Sequence, residues 1–214
     1  MFYQEKVDQR LRFGDVLKGY IITDTTIKQP ILSLNSECHN YKIDIELPTF
    51  SVILTPCCSI GEQIISLTPL IKLYSDFFKN PYFVEDITRI NREMEPEKMF
   101  SPDEWKEFSP EEQQSLISRR KSYALLNLFV YEKNDLFPKY KIRGRETNYY
   151  MIDFRNTYKL RCGMIKRPEE ITQDDFPILE SKCLQLSVKA RSDLREKIAE
   201  YYGRAPEEDE ILED

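Results

Sequence analysis

Two adjacent cysteines, Cys57 and Cys58, separate two apolar runs in the stretch SVILTPCCSIGEQIISLTPLIKL, residues 51–73. A thiolate can act as a nucleophile or as a metal ligand, and a third thiol stands beside the only histidine, at Cys38 and His39. These side chains are of the types that bind zinc, and His39 is the one histidine that could act as the base for a cysteine nucleophile. Both hypotheses require the two stretches to meet in the fold.

The adjacency of the two thiols argues against both hypotheses. Neighbouring strand residues point to opposite faces of a sheet, and structural zinc sites use spaced ligands, so one metal ion rarely takes both thiols. We therefore predict no bound metal, no cofactor and no catalytic residue here. Free cysteines more often pack as small hydrophobes. The preferred interpretation is a hairpin turn in which Cys57, Cys58, Ser59 and Glu62 are candidate binding residues.

A second stretch, from Lys139 to Arg167, has a clear excess of positive charge, because nine lysines and arginines stand against two acids. Cations interleaved with aromatic rings can contact a phosphate backbone and stack on unpaired bases. The interleaved rings are Tyr140, Tyr149, Tyr150 and Tyr158. The candidate binding residues are Lys141, Arg143, Arg145, Tyr149 and Arg155.

The alternative for this stretch is a solvated face that pairs with the protein's own acids or with an acidic partner. The formal net charge of the chain is -6, which argues against a large nucleic-acid footprint. The sequence therefore makes a protein partner the first expectation and a nucleic acid the second.

Composition sets the class of protein. The 214 residues, 41% of them hydrophobic, suffice for one large domain with a sizeable core. The five cysteines form no C-x-x-C pair, and an odd number in a chain without a signal sequence indicates reduced thiols. The N-terminal MFYQEKVDQRLRF lacks an apolar h-region, and no apolar run is long enough to span a bilayer. We expect a cytoplasmic protein with no membrane partner.

The apolar alternation predicts β-structure in two parts of the chain, residues 12–73 and 123–160. The predicted strands cover 12–26, 41–48, 50–55, 63–73, 123–134 (where a helix end is the alternative) and 148–160. Between the two parts, residues 75–121 are predicted to form a helical insertion. Two helix starts support it, Ser101-Pro102-Asp103-Glu104 and Ser109-Pro110-Glu111-Glu112, each with an N-cap serine and a capping-box glutamate.

A final helix is predicted over residues 187–202. Ser187 caps it, Leu194, Ile198 and Tyr201 form its apolar stripe, and Gly203 follows its end. We expect residues 1–204 to form a single domain. Residues 205–214 carry six carboxylates and are predicted to be an acidic disordered tail, with docking on a partner or on the basic stretch as the alternative.

Short motifs in the first 73 residues resemble a known toxin family. Gly14-Asp15-Val16 followed by a strand, then SVILTP (51–56) and ISLTPL (65–70), resembles the small barrel of the PemK/MazF toxin ribonucleases. The resemblance implies an α+β fold with an SH3-like (PemK/MazF-type), partly open β-barrel. It does not transfer the catalytic residues, because the arginine position falls near ELPTF (46–50), which has no arginine, and the hydroxyl position falls at Ile71.

Most of the chain is similar to a poorly characterised group of bacterial proteins. The shared elements are a Leu-Ser/Thr-x-x-Cys-Asp-type turn, here LTPCCS (54–59), a strand, here MIDFR (151–155), and a final helix (186–204). The chain departs from the group at Ser59, where an aspartate is usual. This group brings no agreed activity with it.

From these observations we predict a non-catalytic binding or regulatory protein of a bacterium that acts on a protein partner. The toxin resemblance implies an accessory role in a toxin-antitoxin or phage-defence system. The alternative is an RNA-binding module or an endoribonuclease related to PemK/MazF toxins.

Overall fold

The computed structural model describes residues 1–7, 11–18, 22–27, 41–46, 48–56, 64–118, 121–161 and 182–203, of which 22–27, 41–46, 64 and 160–161 are described by their backbone alone. The described strands are β1 Val16–Lys18, β2 Ile22–Ile27, β3 Tyr41–Glu46, β4 Phe50–Ile53, β5 Ile64–Pro69, β6 Ile71–Lys72, β7 Leu128–Tyr131, β8 Tyr140–Ile142, β9 Arg145–Thr147, β10 Tyr150–Asp153, β11 Tyr158–Arg161 and β12 Lys182–Leu184. The described α-helices are α1 Pro81–Glu85, α2 Pro96–Met99, α3 Pro102–Glu107, α4 Pro110–Ser118 and α5 Val188–Gly203, with 3-10 helices at Ser75–Lys79 and Ile87–Asn91.

These strands form several antiparallel sheets. The largest has five strands in the order β11-β5-β4-β1-β12, and a second has three in the order β6-β10-β7. Two hairpins, β2-β3 and β8-β9, make separate two-stranded sheets. The predicted α+β class is confirmed, but the described strands do not make a closed barrel, because β11 and β12 lie at opposite ends of the largest sheet.

Three predicted strands are wrong in extent. The stretch 12–26 divides into β1 and β2, and 63–73 divides into β5 and β6, with the two halves of each in different sheets. The stretch 148–160 divides into β10 and β11, because the chain turns between them, where the N–H of Asn156 donates to the carbonyl of Asp153. In each case apolar alternation continues through a point where the chain changes sheet, so alternation alone does not reveal the break.

The three-stranded sheet is a central layer that is buried on both faces. On β7, Phe129 and Tyr131 belong to a core cluster shared with the five-stranded sheet and α5. Leu128 and Val130 belong to a second cluster, shared with the helical insertion. The apolar run that predicted a strand over 123–134 therefore reflects burial on both sides, although the strand itself covers only 128–131.

Residues 75–118, within the predicted helical insertion, contain four α-helices and two 3-10 helices, and both capped starts form. The side chain of Ser101 accepts from the backbone N–H of Glu104, whose carboxylate in turn accepts from the backbone N–H of Ser101. Ser109 and Glu112 make the same reciprocal pair at the start of α4. The insertion is tied to the central sheet by the buried Asn91, whose amide side chain donates to and accepts from the backbone of Val130, both at 2.7 Å.

The final helix is also confirmed. Ser187 accepts from the N–H of Ala190 at the start of α5, Leu194 is fully buried, and Gly203 is the last helical residue rather than the one after the helix. The sequence pattern does not predict that Lys197 is fully buried as well. Its ammonium group donates to the carbonyl of Ile90 and lies 4.9 Å from the centroid of the Tyr123 ring.

The Gly14-Asp15 turn that supports the toxin resemblance has a structural role. Gly14 has φ +83°, and a Cβ there would come within 2.6 Å of Leu186, so only glycine fits without rearrangement. Asp15 is fully buried, accepts from the N–H of Arg12 at 2.7 Å and pairs with the ammonium group of Lys182 at 2.7 Å. The turn thus joins β1 to β12 through a buried ion pair.

Among the described residues, no helix has the length and apolar character to cross a bilayer.

Candidate functional site

The basic stretch places four cations on one projecting hairpin. We call residues 139–147 the cationic arm; it consists of β8, β9 and the turn at Arg143 and Gly144. These two residues have φ of 47° and 76°, and two central residues in the left-handed region form the type I′ turn that suits a tight hairpin. Such a turn prefers asparagine or glycine at the position that Arg143 occupies.

The cations of the arm are exposed and only partly neutralised. Lys139 pairs with Glu146 at 3.3 Å, and Arg143 reaches Asp76 at 3.8 Å. Exposed pairs of this kind contribute little to stability. Lys141 and Arg145 are exposed and have no ion pair within the described ranges. The arm therefore offers net positive charge to solvent.

The base of the arm is firmly anchored. The hydroxyl of Tyr140 accepts from the N–H of Leu73 at 3.0 Å and donates to the carbonyl of Tyr149 at 2.6 Å. Burial raises the pKa of Tyr140 to about 12, so its proton stays available for that bond. Ile142 packs against the cluster of the helical insertion. These contacts hold the backbone of the arm in place, so its cations are displayed from a fixed frame.

The interleaved tyrosines do not form the stacking platform that the sequence suggested. Tyr149, a candidate binding residue, is half-buried, and the ammonium group of Lys133 lies 5.1 Å from its ring centroid. Tyr150 is buried, its hydroxyl donates to the carbonyl of Pro138, and its ring contacts that of Tyr140 at 5.4 Å. The Tyr150 ring is thus packed inside the protein, and one face of the Tyr149 ring is covered by a cation.

Arg155 lies apart from the arm and has an internal partner. Its Nε and Nη2 atoms donate to the two carboxylate oxygens of Asp153, at 3.0 and 2.6 Å. Asp153 is buried and also accepts from the amide of Asn127, and these donors lower the pKa of its carboxyl group against the effect of burial. The MIDFR motif therefore encodes a buried carboxylate with its own counter-ion. The side chain of Arg155 is still 61% exposed.

The candidate residues of the cysteine turn, Cys57, Cys58, Ser59 and Glu62, lie outside the described residues, as do Cys38 and His39.

The one cysteine that the structure describes, Cys183, is half-buried, and its thiol donates to the carbonyl of Val16. Burial raises its pKa to about 11, so it is a poor nucleophile. In the part of the chain that the structure describes, no three His, Cys, Asp or Glu side chains are grouped to hold a metal ion.

Sequence reasoning missed two cations beside the arm. Lys133 lines a polar cavity of about 460 Å³ at the base of the arm, together with Lys139 and Glu146. Lys72 lies 5.4 Å from the ring centroid of Tyr140. Both precede the stretch 139–167 in the sequence, so its charge bias gives no indication of them.

A cavity of about 420 Å³ lies elsewhere, between the second 3-10 helix and α5. Tyr123 and several carboxylates line it, among them Glu93, Asp193 and Glu200.

No protein-family model, curated protein or solved structure matches the chain.

Proposed function

We propose that this chain is a non-catalytic binding protein whose cationic arm recognises an acidic surface of a protein partner. The observation that carries the proposal is the arm itself: an anchored hairpin that exposes Lys139, Lys141, Arg143 and Arg145. Complementary charge steers association and fixes the orientation of a partner more than it adds affinity. A fixed frame also lowers the ordering cost of binding.

The occupied tyrosine faces favour a protein over single-stranded RNA. Binding of single strands without sequence preference combines a cationic groove with exposed rings on which bases stack. Tyr140 and Tyr150 are instead committed to hydrogen bonds and a mutual ring contact inside the protein, and the ammonium group of Lys133 lies over the half-buried ring of Tyr149. A partner rich in carboxylates needs only the cations.

The turn of the arm gives independent support. A non-glycine residue in the left-handed region costs about 1 kcal/mol or more, and asparagine would satisfy the turn at lower cost. Within the described part of the chain, the ion pair of Arg143 is with the exposed Asp76 at 3.8 Å, a pair too weak to offset that cost. A residue that breaks a local rule without structural gain is the kind expected at a functional position.

The finer fold and the biological setting are also proposals. The five-stranded antiparallel sheet that follows the Gly14-Asp15 turn supports a partly open, SH3-like relative of the PemK/MazF barrel. On that resemblance we propose an accessory factor of a bacterial toxin-antitoxin or phage-defence system, acting in the cytoplasm.

Charge reversal on the arm tests the proposed function. The full chain serves as bait in its natural form, as Lys141→Glu/Arg145→Glu, and as the control Lys189→Glu. Lys189 is exposed near the start of α5, so its reversal changes charge away from the arm. Recovered proteins are quantified, and the leading acidic one is purified and titrated against the three baits at two salt concentrations.

We expect the purified partner to bind the natural and control chains, and to bind the arm variant at least tenfold more weakly. Affinity should fall as salt rises, because the contact is electrostatic. RNA should remain intact in the same preparations, with or without divalent metal. Equal binding by all three baits, or RNA cleavage that the arm variant abolishes, would refute the proposal.

A further inference from the structure

The surface that extends from the end of α5 toward the base of the cationic arm combines exposed rings with an exposed guanidinium group. Tyr202 is 62% exposed and Tyr74 is 42% exposed. The Tyr201 ring packs on that of Phe154 at 5.6 Å, next to Arg155, whose side chain is 61% exposed. Tyr74 follows Leu73, whose N–H donates to the hydroxyl of Tyr140 at the base of the arm. Tyrosine and arginine dominate the energetically important residues of protein interfaces. The composition of this surface is therefore that of a contact site.

Both ends of this surface lie close to the cationic arm. Tyr74 is two residues before Asp76, which reaches Arg143 in the turn of the arm. Phe154, which Tyr201 and Tyr202 contact, is seven residues along the chain from Thr147 at the end of the arm, so these two residues lie at most about 25 Å apart.

The surface begins where α5 ends. Tyr201 and Tyr202 are in the last turn of the helix, which ends at Gly203, and the hydroxyl of Tyr202 donates to the carbonyl of Phe154. Eleven residues, 204–214, follow Gly203 in the sequence. Six of the last eight are carboxylates, and the other two are Ile211 and Leu212. Fully extended, eleven residues span about 36 Å, which exceeds the distance of at most about 25 Å between Phe154 and the end of the arm.

We propose that residues 207–214 bind in cis along this surface, with their carboxylates on the cationic arm and Ile211 and Leu212 against the exposed tyrosines. Both the charge and the apolar content of the segment match what the surface offers. The proposal rests on the proposed function in one respect: an acidic segment on the arm competes with an acidic partner. The effective concentration of a segment tethered this closely is in the millimolar range, so even a weak contact is populated.

The test measures the contact without any partner. A full-length chain is prepared in which the six carboxylates of residues 207–214 are replaced by the corresponding amides. A fluorescently labelled peptide with the natural sequence of residues 204–214 is titrated into this neutralised chain and into the natural chain at low salt, and anisotropy reports binding. Two further chains add Lys141→Glu/Arg145→Glu or the control Lys189→Glu to the neutralised background. Circular dichroism checks that all four chains fold alike.

We expect the neutralised chain and its Lys189→Glu control to bind the peptide saturably. The natural chain should bind at least tenfold more weakly, because its own segment occupies the surface, and the arm variant should show the same loss. Equal binding by the natural and neutralised chains, or binding by none, would overturn the inference. Since no partner enters the assay, a failed partner titration leaves this result unchanged, and the two proposals fail separately.

Discussion

Removing one or both members of the buried ion pair Asp15–Lys182 gives a sharp test of how this fold is held together. Asp15 is fully buried, and the side chain of Lys182 is only 8% exposed. The ammonium nitrogen of Lys182 lies 2.7 Å from a carboxylate oxygen of Asp15. Burial raises the pKa of Asp15 to about 6 from 3.8, even though the ion pair with Lys182 acts to lower it. The cost of removing the carboxylate from water therefore exceeds what its partner returns.

The size of the pH dependence of stability follows from the pKa of Asp15. A raised folded-state pKa means that the folded state binds the proton more tightly than the unfolded state, so stability falls as pH rises from about 4 to 6. About two pKa units correspond to about 3 kcal/mol. Lys182→Met should destabilise the protein by about 3 kcal/mol at pH 7.5, because it leaves a buried carboxylate without its counter-ion. The double variant Asp15→Asn/Lys182→Met should remain within about 1 kcal/mol of the natural chain.

Urea unfolding followed by circular dichroism at pH 5 and pH 7.5 measures all four members of the cycle. The penalty of Lys182→Met should be smaller at pH 5, where Asp15 is protonated in either background. Asparagine can still accept from the N–H of Arg12, so the turn survives in the double variant. The reasoning would be refuted if the two single substitutions simply added, or if the Lys182→Met penalty were the same at both pH values.

Three further outcomes follow from other contacts. Arg143→Asn should raise the free energy of unfolding by about 0.5–1 kcal/mol, because asparagine suits the type I′ turn, while weakening partner binding; thermal melts and titrations check both effects. Asn91→Ala should lower the free energy of unfolding, measured in urea, by about 2–4 kcal/mol, because it leaves the buried N–H and C=O groups of Val130 unpaired. A loss under 1 kcal/mol would contradict this. Burial lowers the pKa of Lys197 to about 7, so above pH 7 the unfolded state binds more protons than the folded state. The free energy of unfolding should therefore rise between pH 7 and 9 by up to about 1.4 kcal/mol per pH unit. Urea unfolding of Lys197→Met should show a flatter dependence on pH.

Local signals were predictable from sequence wherever one short motif determines the structure. The capping boxes at Ser101 and Ser109 and the cap at Ser187 form as the residues indicate. The helical insertion and the α+β class follow from the change in apolar period. The hairpin of β8 and β9 was not predicted, because the predicted strands end at residue 134 and resume at residue 148.

Long-range arrangements were not predictable in the same way. Whether the chain changes sheet at Leu70, or between β10 and β11, depends on which strands pair across the fold, and alternation carries no such information. The burial of Lys197 and of the Asp15–Lys182 pair depends on partners 107 and 167 residues away. The tyrosines of the basic stretch have the right types for stacking, but Tyr140 and Tyr150 pack on each other and Lys133 lies over Tyr149, which spacing does not show.

The most direct measurement of the central claim is the affinity of a purified acidic partner for the natural chain and for Lys141→Glu/Arg145→Glu, with Lys189→Glu as the matched control. The account predicts at least a tenfold loss on the arm, none in the control, and weaker binding as salt rises. Unchanged affinity in the arm variant would contradict the account.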